Sequence, residues 1–179
     1  MRHRLLAILV SLLLTPFVAA CAGDDPSAVT TAGNGPTRQV TVYDFARVHG
    51  DLLLFPSRIT VPDSGDPVLD AVRGLFEHRP TAHGHESLWV GDCAPGLGVR
   101  RTHVTRQVVT VDVQAYPPDD VPNATCDLSV EGWNVQKQQL AWTVRTADGE
   151  KAPVRGTLDG GYTFLERTTA HTRYLASSH

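Results

Sequence analysis

Apolar residues recur at helical spacing in two stretches of the chain and alternate at strand spacing in five others. In residues 66–79, Val68, Leu69, Val72, Leu75 and Phe76 fall at i, i+1, i+4, i+7 and i+8, with Asp70, Arg73 and Glu77 opposite. That pattern predicts a helix with one buried stripe. Asp66-Pro67 reads as an N-cap followed by proline at the first helical position, and Pro80 ends the helix. In residues 130–146, Val130, Trp133, Leu140, Ala141 and Val144 share one side, as in a helix laid on a sheet. Asp148-Gly149 breaks this second helix and Pro153 forbids its continuation. Val135 and Trp142 lie about 180° from the Leu140–Val144 stripe. A helix apolar on two sides is buried twice or binds something. Either the C-terminal tail, with Phe164, Leu165, Tyr174 and Leu175, folds over that second side, or Trp142 and Val135 contact a partner.

Strand patterns occupy the remaining ordered stretches. Residues 39–45 alternate Val40 and Val42 with Tyr43 and Phe45. His49-Gly50-Asp51 is a turn signal, and residues 52–61 form a second run in which Pro56 demands an edge or a bulge. Residues 99–104 and 107–113 are expected to pair antiparallel, with Val109, Val111 and Val113 on one face and Thr110 and Asp112 on the other. Val154, Gly156 and Leu158 alternate in a further strand that ends at Gly160-Gly161. Loops are expected at residues 81–98 and 116–125.

The first twenty residues carry a different signal. Arg2 and Arg4 precede an apolar run, residues 5–14, that is too short for a stable membrane span. Val18-Ala19-Ala20-Cys21 follows, and this resembles the lipobox of bacterial lipoproteins. The resemblance implies a signal peptide over residues 1–20, acylation of the Cys21 thiol by palmitate-like chains, and a lipid anchor on the outer face of the cell membrane. Cleavage at the nearby Ala-x-Ala-like site as an ordinary secretory peptide is the alternative. Residues 21–38, small and polar throughout, read as a flexible tether. Loss of Arg2 and Arg4 moves the formal charge from −3 to −5, which gives no electrostatic footprint for nucleic acid. With Cys21 acylated, Cys93 and Cys126 remain. Outside the cytoplasm they most simply form a disulfide, closing a loop worth about 3–4 kcal/mol in the chain-entropy account; a reactive or metal-binding pair is the other reading. The arginine-rich, lysine-poor composition points to a high-GC bacterium of actinobacterial type.

The order strand, strand, helix, two strands, helix, strand resembles the GerMN domain, a sporulation and spore germination module of bacterial envelope lipoproteins. Residues 54–61 (LFPSRITV) look like its second strand, and residues 66–81 (DPVLDAVRGLFEHRPT) look like its first helix. Residues 108–113 (VVTVDV) look like its central strand. Residues 139–144 (QLAWTV) with 153–160 (PVRGTLDG) look like its second helix and final strand. Arg79 stands where the family has glycine, and the cysteine pair and the segment after Gly161 are additions. The resemblance implies an α+β fold: a small, twisted, mostly antiparallel sheet with two helices packed on one face. It places the domain at residues 39–161, with 162–179 as a C-terminal extension. It also implies a non-enzymatic binding or scaffolding role, with an envelope protein or peptidoglycan as partner, and no catalytic residue set or cofactor.

Candidate chemistry is sparse. Glu77, His78, His83, His85 and Glu86 bring imidazole and carboxylate together, and His83 and His85 are the candidate metal ligands. A loop bearing them would have to close to make a site, so a solvated polar loop is expected instead. No Gly-x-Ser-x-Gly or His-Glu-x-x-His occurs. Asp44 and Asp112 would serve a glycosidase only if paired. A metal- or solute-binding lipoprotein and a cell-wall-active hydrolase are therefore the alternatives to the binding module. Asn123-Ala124-Thr125 matches a glycosylation acceptor, incidental beside a bacterial lipobox.

Overall fold

Two strand-forming runs flank His49-Gly50, and both of these residues take positive φ, 51° and 99°. The chain therefore reverses in a two-residue turn whose twist suits right-handed strands. The result, in a computed structural model that describes residues 35–90, 97–115, 129–149 and 152–176, is a hairpin of β1 (Thr37–Val48) and β2 (Asp51–Pro62). Pro56 sits opposite Tyr43 in this two-stranded sheet, where both strands are edges and its missing N–H costs no ladder bond.

Asp66 caps α1 (Pro67–Glu77) by accepting from the N–H groups of Val68 and Leu69, each at 3.0 Å. Strands β3 (Leu97–Val104) and β4 (Val109–Ala115) pair antiparallel. Ser129 caps α2 (Val130–Asp148), which ends on Gly149 in the left-handed conformation at φ 74°. The helix carries the chain across to β5 (Val154–Leu158), parallel to β4, and β6 (Tyr162–Thr168) returns antiparallel. A single 3-10 turn follows at Thr172–Tyr174.

The expected single sheet is two: β1-β2, and a mostly antiparallel sheet in the order β3-β4-β5-β6. The physical reason lies at the free edge of β1. Phe45 exchanges both main-chain bonds with Glu86, at 2.9 and 2.8 Å, and the Tyr43 carbonyl accepts from the Gln139 side chain at 2.7 Å. That edge is satisfied without another long strand.

One core joins the Val40, Val42 and Val61 positions of the hairpin to α1, to Val109, Val111 and Val113 of β4, and to Leu140, Ala141 and Val144 of α2. Gly74 lets α1 approach closely: a Cβ there would stand 2.9 Å from Ile59 and 3.1 Å from Val61. A second cluster unites Tyr43, Phe45 and Leu54 with Val135 and Trp142.

Several expectations change. Val130 and Trp133 do not lie on the buried stripe; they are 81% and 37% exposed. The unbroken buried run of α2 is residues 138–144, and Gln136, Gln138 and Gln139 take much of the inner surface. Asp70 is buried rather than solvated. It accepts from the Ser64 amide and hydroxyl and lies 3.2 Å from Arg38 Nε. Arg38 thus belongs to the folded part, and β1 starts inside the expected tether. The expected C-terminal extension begins with β6, an integral strand of the larger sheet.

Candidate functional site

β4 alternates by physical necessity. Val109, Val111 and Val113 point into the helices, so Thr110 and Asp112 point to the opposite face of the sheet. Register places Arg101 and His103 of β3 beside Asp112 and Thr110, and Thr157 of β5 beside Asp112. A register shift between Val99 and Arg101 leaves Arg100 outside the ladder and re-aims Arg101. The β5–β6 turn completes the site. Asp159 and Gly160 have φ 50° and 72°, the two positive values of a primed hairpin turn. These groups line a concavity of about 390 Å³.

Asp112 organises this face. Its Oδ1 accepts from the Thr157 hydroxyl at 2.9 Å and from the Gly160 amide at 2.7 Å. Its Oδ2 lies 3.4 Å from Arg101 Nε and has no hydrogen-bond partner among the described residues. Burial pushes the Asp112 pKa up. The Thr157 and Gly160 bonds and the charges of Arg101 and Arg100 outweigh it and hold the carboxyl below its ordinary value. A carboxylate kept ionised in this way is a poor proton shuttle near neutrality. It is a good fixed acceptor that organises the residues around it, with Oδ2 buried beneath the Arg101 side chain. The arrangement suits recognition of a polar ligand bearing both donors and acceptors.

The anticipated sites are distributed differently. Val135 and Trp142 are buried, at 0% and 8% exposure, so neither presents a surface for a partner to dock on. Trp142 packs against Tyr43 at 5.8 Å between ring centroids, and its Nε1 donates to the His171 carbonyl at 3.3 Å. Tyr174 and Leu175 pack on the same cluster, so the tail does fold over this side of α2. His78 lies 3.4 Å from Asp44, His85 packs against Phe55 with tilted rings at 4.6 Å between centroids, and His83 is exposed. Among the described residues no three His, Cys, Asp or Glu side chains converge on a metal position. Asp44 bonds to Ser57 of the hairpin and to His78 at the end of α1, whereas Asp112 has its partners in the other sheet. Cys21, Cys93, Cys126 and the Asn123 sequon lie outside the described residues. Among the described residues no helix is long and apolar enough to cross a membrane.

The Asp112 concavity escaped the reading of the sequence. Its one signal was Asp112 breaking the valine run, which any solvated face would also show.

No protein-family model matches the sequence, and comparison with curated proteins returns no match. Solved structures do match. The tandem GerMN domains of the sporulation protein GerM from Bacillus subtilis align with a TM-score of 0.57 at 17% identity, covering 83% of this chain and 51% of that one. The chain thus spans about half the length of that tandem protein. The first GerMN domain of the same protein aligns with a TM-score of 0.49 at 14% identity, over 78% of this chain and 97% of that one. At such identity a likeness speaks for the fold alone, and the fold of this chain is GerMN-like, an α+β arrangement of two helices with two mostly antiparallel sheets.

Proposed function

We propose that this chain is a non-enzymatic binding or scaffolding module of the bacterial envelope, held on the outer face of the cell membrane through lipid on Cys21. Its partner in this reading is an envelope protein or peptidoglycan, met on the Arg101–Asp112–Thr157 face of the larger sheet. The observation that supports it best is the state of Asp112. The carboxylate is fixed by a hydroxyl, an amide and an arginine, as a recognition anchor requires, and its lowered pKa disfavours acid–base work. The GerMN-like fold agrees with such a role, and its solved neighbour is described as a sporulation protein. The separate settings of Asp44 and Asp112 speak against a two-carboxylate hydrolase. The Cys93–Cys126 disulfide remains part of the proposal.

Membrane fractionation tests the anchor. The wild-type chain should sediment with membranes and Cys21→Ser should be released. Equal release of both would overturn the lipid anchor.

A further inference from the structure

We propose that the cleft between α2 and the corner after β6 is a binding site for a phosphate group. This cleft, about 230 Å³, shares no lining residue with the Asp112 concavity. Four cationic or cation-forming side chains line it: Lys137 from α2, Arg167 from β6, His171 from the corner and Arg173 from the 3-10 turn. No Asp or Glu lines it. Among the described residues none of these four groups has a carboxylate partner. The chain as a whole carries a net charge of −3, so this clustering of cations runs against its composition.

The cations stand on a braced backbone. Gln138, itself buried, donates through Nε2 to the Thr169 carbonyl at 2.9 Å and accepts from the His171 amide through Oε1 at 2.8 Å. Trp142 Nε1 adds a third bond to the same corner. The guanidinium of Arg173 lies over the Tyr174 ring at 4.8 Å and donates to its hydroxyl at 3.0 Å. Arg167 is steadied by a bond to the Gln107 carbonyl at 3.0 Å. Charged groups held in place before a ligand arrives lose little freedom on binding it.

The donor set selects the ligand class. Two arginine forks, an ammonium and an imidazole line the same cleft. A single carboxylate has two oxygens and satisfies one fork. A phosphate presents three or four oxygens and more charge, and can engage several of these groups together. The openness of the cleft leaves room for a substituent on the phosphate. The phosphate of an anionic lipid headgroup and that of a soluble phosphodiester share this chemistry.

The test uses the full chain carrying Cys21→Ser, so that no lipid anchor contributes. Titration with inorganic phosphate and with glycerol phosphate at low ionic strength should give saturable binding. Lys137→Gln with Arg173→Gln should weaken it by roughly tenfold or more. Arg47→Gln, on the hairpin, should leave it unchanged. An unaltered denaturation midpoint in each variant shows that the fold is kept. Flotation with phosphatidylglycerol vesicles, against phosphatidylcholine vesicles, identifies the source: capture by the anionic vesicles alone points to a headgroup, and binding confined to glycerol phosphate points to a soluble phosphodiester. Absence of saturable phosphate binding overturns the proposal. So does binding that survives the double substitution, or a glutamate-rich peptide that competes as well as phosphate. Failure here leaves the reading of the Asp112 face standing, because the two sites have no residue in common.

Discussion

The side chain of Gln139 on α2 donates to the backbone carbonyl of Tyr43 on β1 at 2.7 Å, across 96 positions of sequence. Its Oε1 meanwhile accepts from the Leu88 amide at 3.2 Å. One fully buried amide thus ties the hairpin edge, the segment before β3 and the central helix together. Gln136 adds a side-chain bond of its own, Nε2 donating to the Leu88 carbonyl at 2.8 Å, and its backbone carbonyl accepts from Trp89 Nε1 at 3.0 Å. Removing Gln139 strands a buried acceptor and a buried donor, each costing about 1–3 kcal/mol. Gln139→Ala should lower unfolding stability by about 3 kcal/mol, read as a shifted urea midpoint with little change of slope. A change under about 0.5 kcal/mol would show that water replaces both bonds.

Gly156 lets a neighbouring ring lie across β5. A Cβ there would stand 2.4 Å from the Phe164 ring and 2.9 Å from Leu165 Cβ. Phe164 in turn meets Trp89 edge-on at 6.3 Å, and Trp89 stacks on Phe76 at 4.7 Å. Gly156→Ala should destabilise by about 2 kcal/mol through overpacking. Combined with Phe164→Ala, its cost should fall, because the ring clash has gone and only the contact with Leu165 Cβ remains. Additive effects in the double-mutant cycle would mean that the ring is not what limits position 156.

Asp112 makes a statement about pH. Its folded pKa is lowered despite burial, by Thr157, Gly160, Arg101 and Arg100. A depressed carboxyl contributes stability above its unfolded pKa, near 4, and loses that contribution as pH falls through the folded value. Asp66 is lowered as well: burial raises it, and the Thr102 hydroxyl and the Leu69 and Val68 amides outweigh burial. Stability should therefore fall as pH drops below about 4. Asp112→Asn should flatten that acid limb and cost most at neutral pH. Denaturation midpoints at several pH values check this, and parallel curves for the two proteins would contradict it.

The C-terminal segment closes the second cluster. The Ala176 amide donates to the Leu54 carbonyl at 3.0 Å and Leu175 bridges Leu54 in parallel, so the tail adds to the free edge of β2. Deleting residues 170–179 should expose Trp142, shift its fluorescence to the red and lower stability by about 2–4 kcal/mol. A Trp142→Phe background should remove the spectral shift. An unchanged spectrum after deletion would show that Tyr43 and α2 shield the indole without the tail.

Local chemistry made much of this fold legible. Asp66-Pro67, Pro80, His49-Gly50 and Asp148-Gly149 mark the helix and hairpin ends by capping and backbone preference, which act within a few residues. The alternation of β4 revealed its buried face. The inner side of α2 was not legible, because Gln136, Gln138 and Gln139 count as polar in any hydrophobic pattern yet are buried by bonds to distant carbonyls and amides. Weighting the apolar positions alone pulled Val130 and Trp133 onto the wrong side. The division into two sheets was hidden for a related reason, since side-chain and loop bonds at the β1 edge carry no sequence period. Both concavities arise from register and from the packing of the tail. Arg101, Asp112 and Thr157 meet only once three strands are paired.

The most direct test of the binding-module account is retention of the full Cys21→Ser chain on purified peptidoglycan and on detergent-solubilised membranes, each with an Arg101→Glu, His103→Glu variant beside it. The account predicts capture by one of the two materials, a loss of roughly tenfold in the variant, and intact peptidoglycan after incubation. Equal capture of both proteins would move the binding surface away from the Asp112 face. No capture on either material, or release of soluble peptidoglycan fragments, would contradict a non-enzymatic module of the envelope.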